Sequence, residues 1–156
     1  MKDFQIIGRA ERVNLPELGL KGVPAKVDTG ADASSIWATG LEVSDNGLEV
    51  VFFGPDSPYY SGEKVQFPPG TYTFTRVASS FGQREVRYKV KLRVKVAGRV
   101  IYATFTLANR SSKTYPILIG RKLLHGKFIV DVSKGNPLIG EERKKRAIMK
   151  KELGLS

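Results

Sequence analysis

The chain has 156 residues, of which 41% are hydrophobic, and its formal net charge is +11. This length and apolar content suit one domain with a substantial core. The absence of cysteine excludes disulfides and thiol catalysis, and no stretch approaches the ~20 apolar residues of a membrane-spanning helix. Because residues 1–9 lack the long apolar centre of a signal peptide, we expect a cytoplasmic protein; an exported parent with a removed signal stays open.

The apolar pattern predicts a mainly β fold with many short strands separated by turn residues. The predicted strands are 4–13, 23–27, 34–37, 48–53, 72–80, 86–96, 99–108, 117–119 and 128–132, with a long loop over 54–70. One helical turn is predicted over 121–125 and a charged helix over 141–153. Such a series of strands favours a closed β-barrel. We therefore predict a barrel domain over residues 1–140 and a basic helical tail over residues 141–156.

The segment Val-Asp-Thr-Gly-Ala-Asp, residues 27–32, places a carboxylate directly after a predicted strand. The β-branched and apolar residues before Asp28 favour the strand, and Gly30 allows the turn a backbone geometry that other residues rarely adopt. Asp28 is then held at a strand end, as a reacting carboxylate must be. The alternative is an aspartate that only caps its own turn.

Together with Pro-Ile-Leu-Ile-Gly-Arg at residues 116–121, this segment resembles the retropepsin-type aspartic proteases. Their subunits carry a hydrophobic-Asp-Thr-Gly-Ala turn and a later hydrophobic-hydrophobic-Gly-Arg sequence. Residues 109–131 are also similar to a bacterial family of unknown function that is often labelled an ATP-dependent zinc protease, and the likeness runs from about residue 10 to residue 134. The resemblance implies a single retropepsin-like closed β-barrel, one half of an acid protease, with a short helix after Gly120.

The resemblance also implies roles for individual residues. Asp28 would be the catalytic acid and base, Thr29 would hydrogen-bond across a dimer axis, and Gly30 completes the catalytic turn. Asp32 and Arg121 would form a structural ion pair that ties this turn to the short helix, as bidentate carboxylate–guanidinium pairs can. Their alternative is two unrelated surface charges. Gly120 would let the start of that helix pack under the turn.

Hydrolysis of a peptide bond without a metal or a covalent intermediate requires two carboxylates that share one proton. The chain holds a single Asp-Thr-Gly turn, so an active enzyme would be a two-fold homodimer in which two copies of Asp28 meet. Retropepsins are dimers of this kind. Ala31 stands where a serine could donate a hydrogen bond to the carboxylate, so we expect a pH optimum nearer neutrality.

Neither zinc nor ATP is expected as a cofactor, in spite of the family label. His125 is the only histidine, and the chain has no His-Glu-x-x-His sequence and no Gly-x-x-x-x-Gly-Lys-Ser/Thr loop. Zinc sites in proteins draw mostly on cysteine and histidine, and phosphate-binding loops need that glycine pattern. We expect no metal site and place His125 at the end of the short helix.

A row of basic residues alternates with apolar residues in the predicted strand 86–96, and it comprises Arg87, Lys89, Lys91, Arg93 and Lys95. The tail accounts for +3 of the net charge, which leaves a basic barrel of +8 and indicates acidic partners. The row either binds an extended acidic chain or is a solubilising outer face that protects an edge strand. Members of the resembled family often accompany ligases that add glutamates to proteins, so a protease acting on an acidic, polyglutamate-tailed substrate unites charge and motif.

Two further interpretations stay open. A basic, non-catalytic β-barrel could bind RNA or acidic peptides, with aromatic stacking groups drawn from Tyr59, Tyr60, Phe67, Tyr72 and Phe74. A pseudo-enzyme could bind acidic peptides without cutting them. The chain also departs from retropepsins in lacking a Gly-Gly flap sequence, so that either loop 54–70 or the hairpin around Phe81 and Gly82 would have to cover the site.

Overall fold

The computed structural model describes residues 3–78 and 81–154. Within these residues the elements follow the order β1 (Gln5–Ile7), β2 (Ala10–Leu15), a 3-10 helix (Pro16–Leu18), β3 (Leu20–Val27), β4 (Ser34–Ser44), β5 (Gly47–Phe52), β6 (Lys64–Phe67), β7 (Tyr72–Ala78), β8 (Arg84–Val96), β9 (Arg99–Ala108), β10 (Ile117–Ile119), α1 (Arg121–Leu124), β11 (Phe128–Val130) and α2 (Ile139–Glu152). The mainly β class predicted from the sequence is confirmed.

Six strands form a closed barrel in the order β10, β3, β2, β8, β9 and β4. The short strand β10 closes this ring, because it pairs in parallel with β3 on one side and antiparallel with β4 on the other. Strands β5 and β6 extend the sheet from β4, while β7 forms a hairpin with β8. Strands β1 and β11 make a separate parallel pair. Closure leaves the ring itself without a free edge.

The barrel interior is filled by alternate residues of the strands, as the two-residue period of a strand requires. In β8, Val90, Leu92, Val94 and Val96 are buried while Lys91, Arg93 and Lys95 between them are exposed. The largest fully buried side chains include Phe53 and Phe105. Burial of each large apolar side chain contributes about 1.5–3 kcal/mol to folding, so this core is what holds the barrel closed.

Three predicted boundaries are wrong. The single strand predicted over 4–13 is two strands, because the chain passes at Gly8 so close to another segment that a Cβ there would lie 2.5 Å from the Lys134 carbonyl oxygen. The strand predicted over 34–37 continues to Ser44, where it pairs with β5. The loop predicted over 54–70 contains the strand β6. Turn-forming residues on both sides of this short strand favoured a loop in the prediction.

The remaining elements match the predictions to within a few residues. The strand predicted over 72–80 ends at Ala78, and Ser79 and Ser80 lie outside the described residues. The helix α1 ends at Leu124, so that His125 directly follows it, as expected. The helix α2 begins at Ile139; the domain boundary at residue 140 stays a prediction, and residues 155–156 of the tail are not described. In the described part of the chain, no helix is both long and apolar enough to cross a bilayer.

Candidate active site

Asp28 is the first residue beyond β3, at the point where β3 lies beside β10. Val27 is paired with Ile119 in the parallel register of these two strands. The Asp28 amide donates a hydrogen bond of 2.8 Å to the Ile119 carbonyl, and the Val27 amide donates one of 2.9 Å to the Arg9 carbonyl. The backbone of Asp28 is therefore fixed by the sheet.

The turn after Asp28 is tight and closes on the carboxylate. The Gly30 amide donates to Asp28 Oδ1 at 2.9 Å, and the Ala31 amide donates to the Asp28 carbonyl at 3.2 Å. A Cβ at Gly30 would lie 3.2 Å from Asp28 Oδ1, which is closer than most side chains tolerate. Asp28 is half-buried while Thr29 and Gly30 are exposed, so the turn presents the carboxylate at the molecular surface.

The second motif runs directly against the first. The Arg121 amide donates to the Ala31 carbonyl at 2.7 Å, and the Lys122 amide donates to the Asp32 carbonyl at 3.1 Å. These amides lie at the start of α1, where backbone N–H groups have no partner within the helix. The Asp28 turn thus supplies hydrogen-bond acceptors to the first amides of the helix, and these bonds in turn hold the Asp28 turn in place.

Gly120 is required by space rather than by backbone angle, since its φ of −96° suits any residue. A Cβ at this position would lie 2.5 Å from the Ala33 carbonyl oxygen and 2.9 Å from that of Ala31. The Gly120 amide donates to Ser34 Oγ at 3.0 Å. Only glycine allows the end of β10 to approach the segment after the turn so closely.

The side chain of Arg121 holds the turn from outside. Its Nη1 donates to the carbonyl oxygens of Thr29 and Gly30, each at 3.2 Å, while its Nη2 contacts Asp32 Oδ1. The side chains of Arg121 and Asp32 are 52% and 70% exposed, and exposed ion pairs contribute at most about 1 kcal/mol to folding. We conclude that this arginine positions the turn more than it stabilises the protein.

Ser34 is the supporting residue that the sequence analysis missed. Its side chain is 3% exposed and accepts the Gly120 amide. The available signal was its position in β4, because Ser34 lies two residues before the buried Ile36 and therefore on the same, inward face of the strand. A buried hydroxyl at such a position needs a partner.

No metal site is visible at the turn. In residues 3–78 and 81–154, no three His, Cys, Asp or Glu side chains gather as a metal ion would need. The only histidine, His125, is exposed after α1. The expectation of no cofactor stays a prediction from the sequence.

The basic row lies on the outer face of β8, as the alternation predicted. Tyr102 of the neighbouring strand has Lys91 Nζ 5.8 Å and the Arg93 guanidinium carbon 4.9 Å from its ring centre. Arg93 also pairs with Glu17 at 3.3 Å, and Arg87 lies 3.9 Å from a carboxylate oxygen of Glu85.

Four of the five aromatic residues considered for base stacking pack against other aromatic rings. Phe67 is buried with its ring centre 6.3 Å from that of Phe52, and Tyr59 lies 6.0 Å from Phe53. Tyr72 and Phe74 each lie 6.2 Å from Tyr88. Tyr60 is 37% exposed.

Of the two flap candidates, only the β7–β8 hairpin has the shape of a flap. Strand β9 pairs with β8 from Lys89 to Val96, whereas residues 84–88 pair with β7 alone among the described residues. This part of the hairpin is a two-stranded ribbon with Phe81 and Gly82 near its tip. The segment after β5 packs instead on the barrel, where a Cβ at Gly54 would lie 2.4 Å from the Trp37 ring.

The chain is similar in sequence to a known protein family and to several named proteins. A family model described as "RimB-like: Retropepsin-like aspartic endopeptidase RimB" matches residues 6–137. Proteins named "Probable alpha-L-glutamate ligase" from Shewanella pealeana and Shewanella halifaxensis are each 31% identical to this chain over 130 residues, which is 82% of the chain and 28% of each relative. The chain thus spans little more than a quarter of the length of these curated relatives.

A solved structure shares the fold. The crystal structure of a Legionella pneumophila protein of unknown function (DUF785) superposes with a TM-score of 0.65 at 25% sequence identity, and the match covers 85% of this chain and 96% of that one. The same arrangement of strands is therefore found in a protein of similar extent.

Proposed function

The chain belongs to the RimB-like family of retropepsin-like aspartic endopeptidases, and we propose that it is an aspartic peptidase that acts as a homodimer. The observation that carries this proposal is the Asp28 turn. A half-buried carboxylate stands at the end of a sheet, its amide is bound to the Ile119 carbonyl, and the carbonyls beside it are held by Arg121. A group that is merely solvated does not need this support.

A second copy of the chain would supply the other carboxylate. Asp32, the acid next in sequence, is engaged by Arg121, so it is not available as a proton-sharing partner for Asp28. In a two-fold dimer the same turn meets itself across the axis. We assign Thr29 to contact between the two turns, because it is exposed at the tip of each one.

The proposed reaction uses the two aspartates in different protonation states. The ionised Asp28 takes a proton from a water molecule, whose oxygen attacks the carbonyl carbon of the scissile peptide. The protonated Asp28 of the other subunit gives its proton to the carbonyl oxygen. When the tetrahedral intermediate collapses and its carbon–nitrogen bond breaks, the first Asp28 gives the proton it took from water to the leaving amine. The Asp28 of the other subunit takes a proton back from a hydroxyl group of the intermediate, which leaves a carboxylic acid product. Two carboxylates this close share one proton because they cannot both ionise easily.

The proposed substrate is an acidic protein, in particular one with a polyglutamate tail. The net charge of +11 favours acidic partners. Relatives that contain a segment similar to this chain are named probable alpha-L-glutamate ligases. The name describes enzymes that attach glutamate, and this supports a glutamate-rich substrate. We further assign the β7–β8 hairpin as the flap and keep a cytoplasmic location as part of the proposal.

The test is hydrolysis of a glutamate-tailed peptide by the wild type, by Asp28→Asn and by a mixed dimer of the two. We expect Asp28→Asn to lose about 10³-fold or more of the rate, as removal of a central catalytic group does. Differently tagged subunits allow the mixed dimer to be purified. The mixed dimer should be as inactive as the dimer in which both subunits carry Asp28→Asn, because one asparagine is enough to break the shared dyad.

The control is Asp45→Asn, which removes an exposed carboxylate in the turn between β4 and β5 and should leave the rate unchanged. A mixed dimer with half the wild-type rate would show that each subunit works alone and would overturn the homodimeric dyad. A monomer that retains full activity would do the same.

The second candidate is a non-catalytic barrel that binds RNA or acidic peptides. The arrangement of Lys91 and Arg93 over Tyr102 favours some anion-binding role. In that case Asp28→Asn would leave binding of a polyanion intact or strengthen it, since a negative charge is removed. Wild-type protein would show no hydrolysis at any pH.

A further inference from the structure

A cavity of about 300 Å³ lies beside the segment that follows the catalytic turn. It is bounded by the start of β4, by the outer face of β8 and β9 and by α1. We call it the lysine cavity, and its polar lining comprises Ser34, Lys89, Thr104, Thr106, Lys122 and Lys127. Three lysines and two threonines thus line one space.

The charge in this cavity is unbalanced. No carboxylate is among its lining residues. Lys89, Lys122 and Lys127 each lie beyond ion-pair distance of every acidic group in the described part of the chain. Lys127 Nζ reaches only the neutral His125 carbonyl, at 3.3 Å. Ammonium groups are donors without acceptor capacity, so this lining suits a ligand rich in carboxylates.

The lysine cavity continues into the basic row. Lys89 belongs to both, and Lys91 follows on the same face of β8. Arg93, the next residue on this face, is paired with Glu17. Same-face side chains of a strand are ~6.6 Å apart. An extended peptide presents its own alternate side chains at the same interval, so successive acidic side chains of an extended substrate match successive cations of the row.

The lysine cavity is joined to the catalytic turn through shared residues. The Lys122 amide donates to the Asp32 carbonyl, and Ser34 accepts the Gly120 amide. Lys122 and Ser34, which line the cavity, are thus also residues that support the Asp28 turn, and a peptide bound in the cavity lies beside that support. The selection role requires that the neighbouring backbone of this peptide extends to Asp28.

We propose that the lysine cavity, extended by Lys91, is an acidic-peptide site that selects the substrate through its carboxylate side chains. Its role in selection rests on the proposed peptidase function. An acidic peptide fits better than RNA, because Tyr102, the aromatic residue in this lining, already has Lys91 and Arg93 against its ring. A nucleobase would need that face for stacking.

The experiment measures binding in the Asp28→Asn protein, which does not consume the peptide. Fluorescence anisotropy compares a labelled oligoglutamate with an oligoglutamine of equal length at physiological ionic strength. The triple variant Lys89→Gln, Lys122→Gln, Lys127→Gln should weaken oligoglutamate binding about tenfold, the combined effect of three exposed ion pairs of ordinary strength.

The matched control removes the same charge from the exposed lysines of α2, with Lys144→Gln, Lys150→Gln and Lys151→Gln. This control should change the Kd about twofold at most, because it alters only the long-range attraction between the positively charged protein and the peptide, which salt screens. Equal losses in both triple variants would overturn the proposal, as would equal affinity for the two peptides. The labelled oligoglutamate can also be displaced by competitors from the protein that retains all three lysines. If oligouridylate displaces it at a lower concentration than unlabelled oligoglutamate does, the site is assigned to RNA instead.

A second measurement does not depend on the folding of any variant. A carbodiimide joins a peptide carboxylate to a lysine amine as an amide, and the water lost in this condensation is taken up as the urea. Mass spectrometry of the cross-linked Asp28→Asn protein should find oligoglutamate on Lys89, Lys122 or Lys127. Cross-links confined to α2 would overturn the proposal.

The two hypotheses fail separately. If wild-type protein binds oligoglutamate at the lysine cavity but never hydrolyses it, the peptidase proposal fails and the binding site stands. If wild-type protein hydrolyses acidic and neutral peptides alike, and the lysine triple variant keeps the same kcat/KM for both, the peptidase stands and the selection site fails.

Discussion

Two aspartates of this chain follow apolar strands and start turns, yet their surroundings differ. Asp131 follows β11, and its Oδ1 accepts hydrogen bonds from the Ser133 amide at 3.0 Å and the Ser133 hydroxyl at 2.6 Å. Asp28 follows β3, and its Oδ1 accepts the Gly30 amide at 2.9 Å. The first carboxylate is used within its own turn. Both turns are anchored through their backbones, since the Asp131 amide donates to the Ile7 carbonyl and the Asp28 amide to the Ile119 carbonyl, each at 2.8 Å. In the Asp28 turn the Arg121 side chain also binds the carbonyls of Thr29 and Gly30.

The comparison separates a capping aspartate from a candidate catalytic one. The hydrogen bonds from Ser133 lower the pKa of Asp131 below its ordinary value of 3.8, with a further contribution from Lys134. At the corresponding position of the other turn, Gly30 offers an amide and no hydroxyl. The Asp28 carboxylate therefore accepts one hydrogen bond within its turn where that of Asp131 accepts two, so it keeps more acceptor capacity for another ligand. This difference, rather than the Asp-Thr-Gly sequence alone, favours chemistry at Asp28.

The largest loss of stability is expected from filling the space between the two motifs. Gly120→Ala puts a methyl group 2.5 Å from the Ala33 carbonyl oxygen, and overpacking against backbone costs about 3 kcal/mol or more. Thermal unfolding should show a Tm lower by about 6–12 °C for a chain of this size, and hydrolysis should fall with it. Gly140→Ala is the control, since open space surrounds that position in α2. Equal Tm values for the two variants would contradict the close approach.

A smaller loss is expected from removing the buried hydroxyl below the turn. Ser34→Ala leaves the Gly120 amide without its acceptor, and an unsatisfied buried group costs about 1–3 kcal/mol. Ser35→Ala is the matched control, because its half-buried hydroxyl accepts only a long bond of 3.3 Å from Arg110. Denaturant unfolding of both variants measures the difference. If Ser35→Ala is the more destabilising, Ser34 is not the support described above.

Arg121→Lys should separate positioning from stability. Lysine keeps the charge but cannot reach two carbonyls and a carboxylate with one planar group. We expect a loss of about 1 kcal/mol or less in unfolding free energy, as for exposed pairs, together with a clear drop in kcat. Asp32→Asn, which leaves the contacts to Thr29 and Gly30 in place, should reduce kcat less. Equal kcat for Arg121→Lys and wild type would exclude the positioning role.

The smallest effect is expected at the capping turn. Ser133→Ala removes one donor to Asp131, so the pKa of this carboxylate should rise toward 3.8. A lowered folded-state pKa stabilises the protein above the unfolded pKa, and this stabilisation disappears as the pH falls through the folded value. The variant should therefore be slightly less stable than wild type at pH 7 and indistinguishable from it in strong acid. Carboxylate NMR titration and unfolding across this pH range measure both, while kcat should not change.

Much of the architecture follows from local patterns. Strict alternation in β8 and β9 identified these strands and their exposed cations, because each side chain's face depends only on its position in the strand. The two motifs were visible for the same reason, since their glycines and aspartates are consecutive in sequence. The contact of Arg121 with Asp32 and the turn came from the family resemblance, since these groups are up to 92 positions apart.

Other features depend on partners that the sequence does not reveal. The continuation of β4 and the existence of β6 come from pairing with β5, which supplies backbone hydrogen bonds where propensity is weak. The lysine cavity combines residues of β4, β8, β9 and the α1 region. Of its three lysines, only Lys89 belongs to an alternating pattern that the sequence reveals, whereas Lys122 and Lys127 do not.

The strand β10 has a consequence for how the protein comes into being. It is the last of the six ring strands in chain order, and its three residues both close the barrel and lead directly into Gly120. A growing polypeptide that still lacks this strand has neither a sealed core nor the helix start that fixes Asp28. The Asp28 turn can therefore take its final position only after synthesis has passed β10.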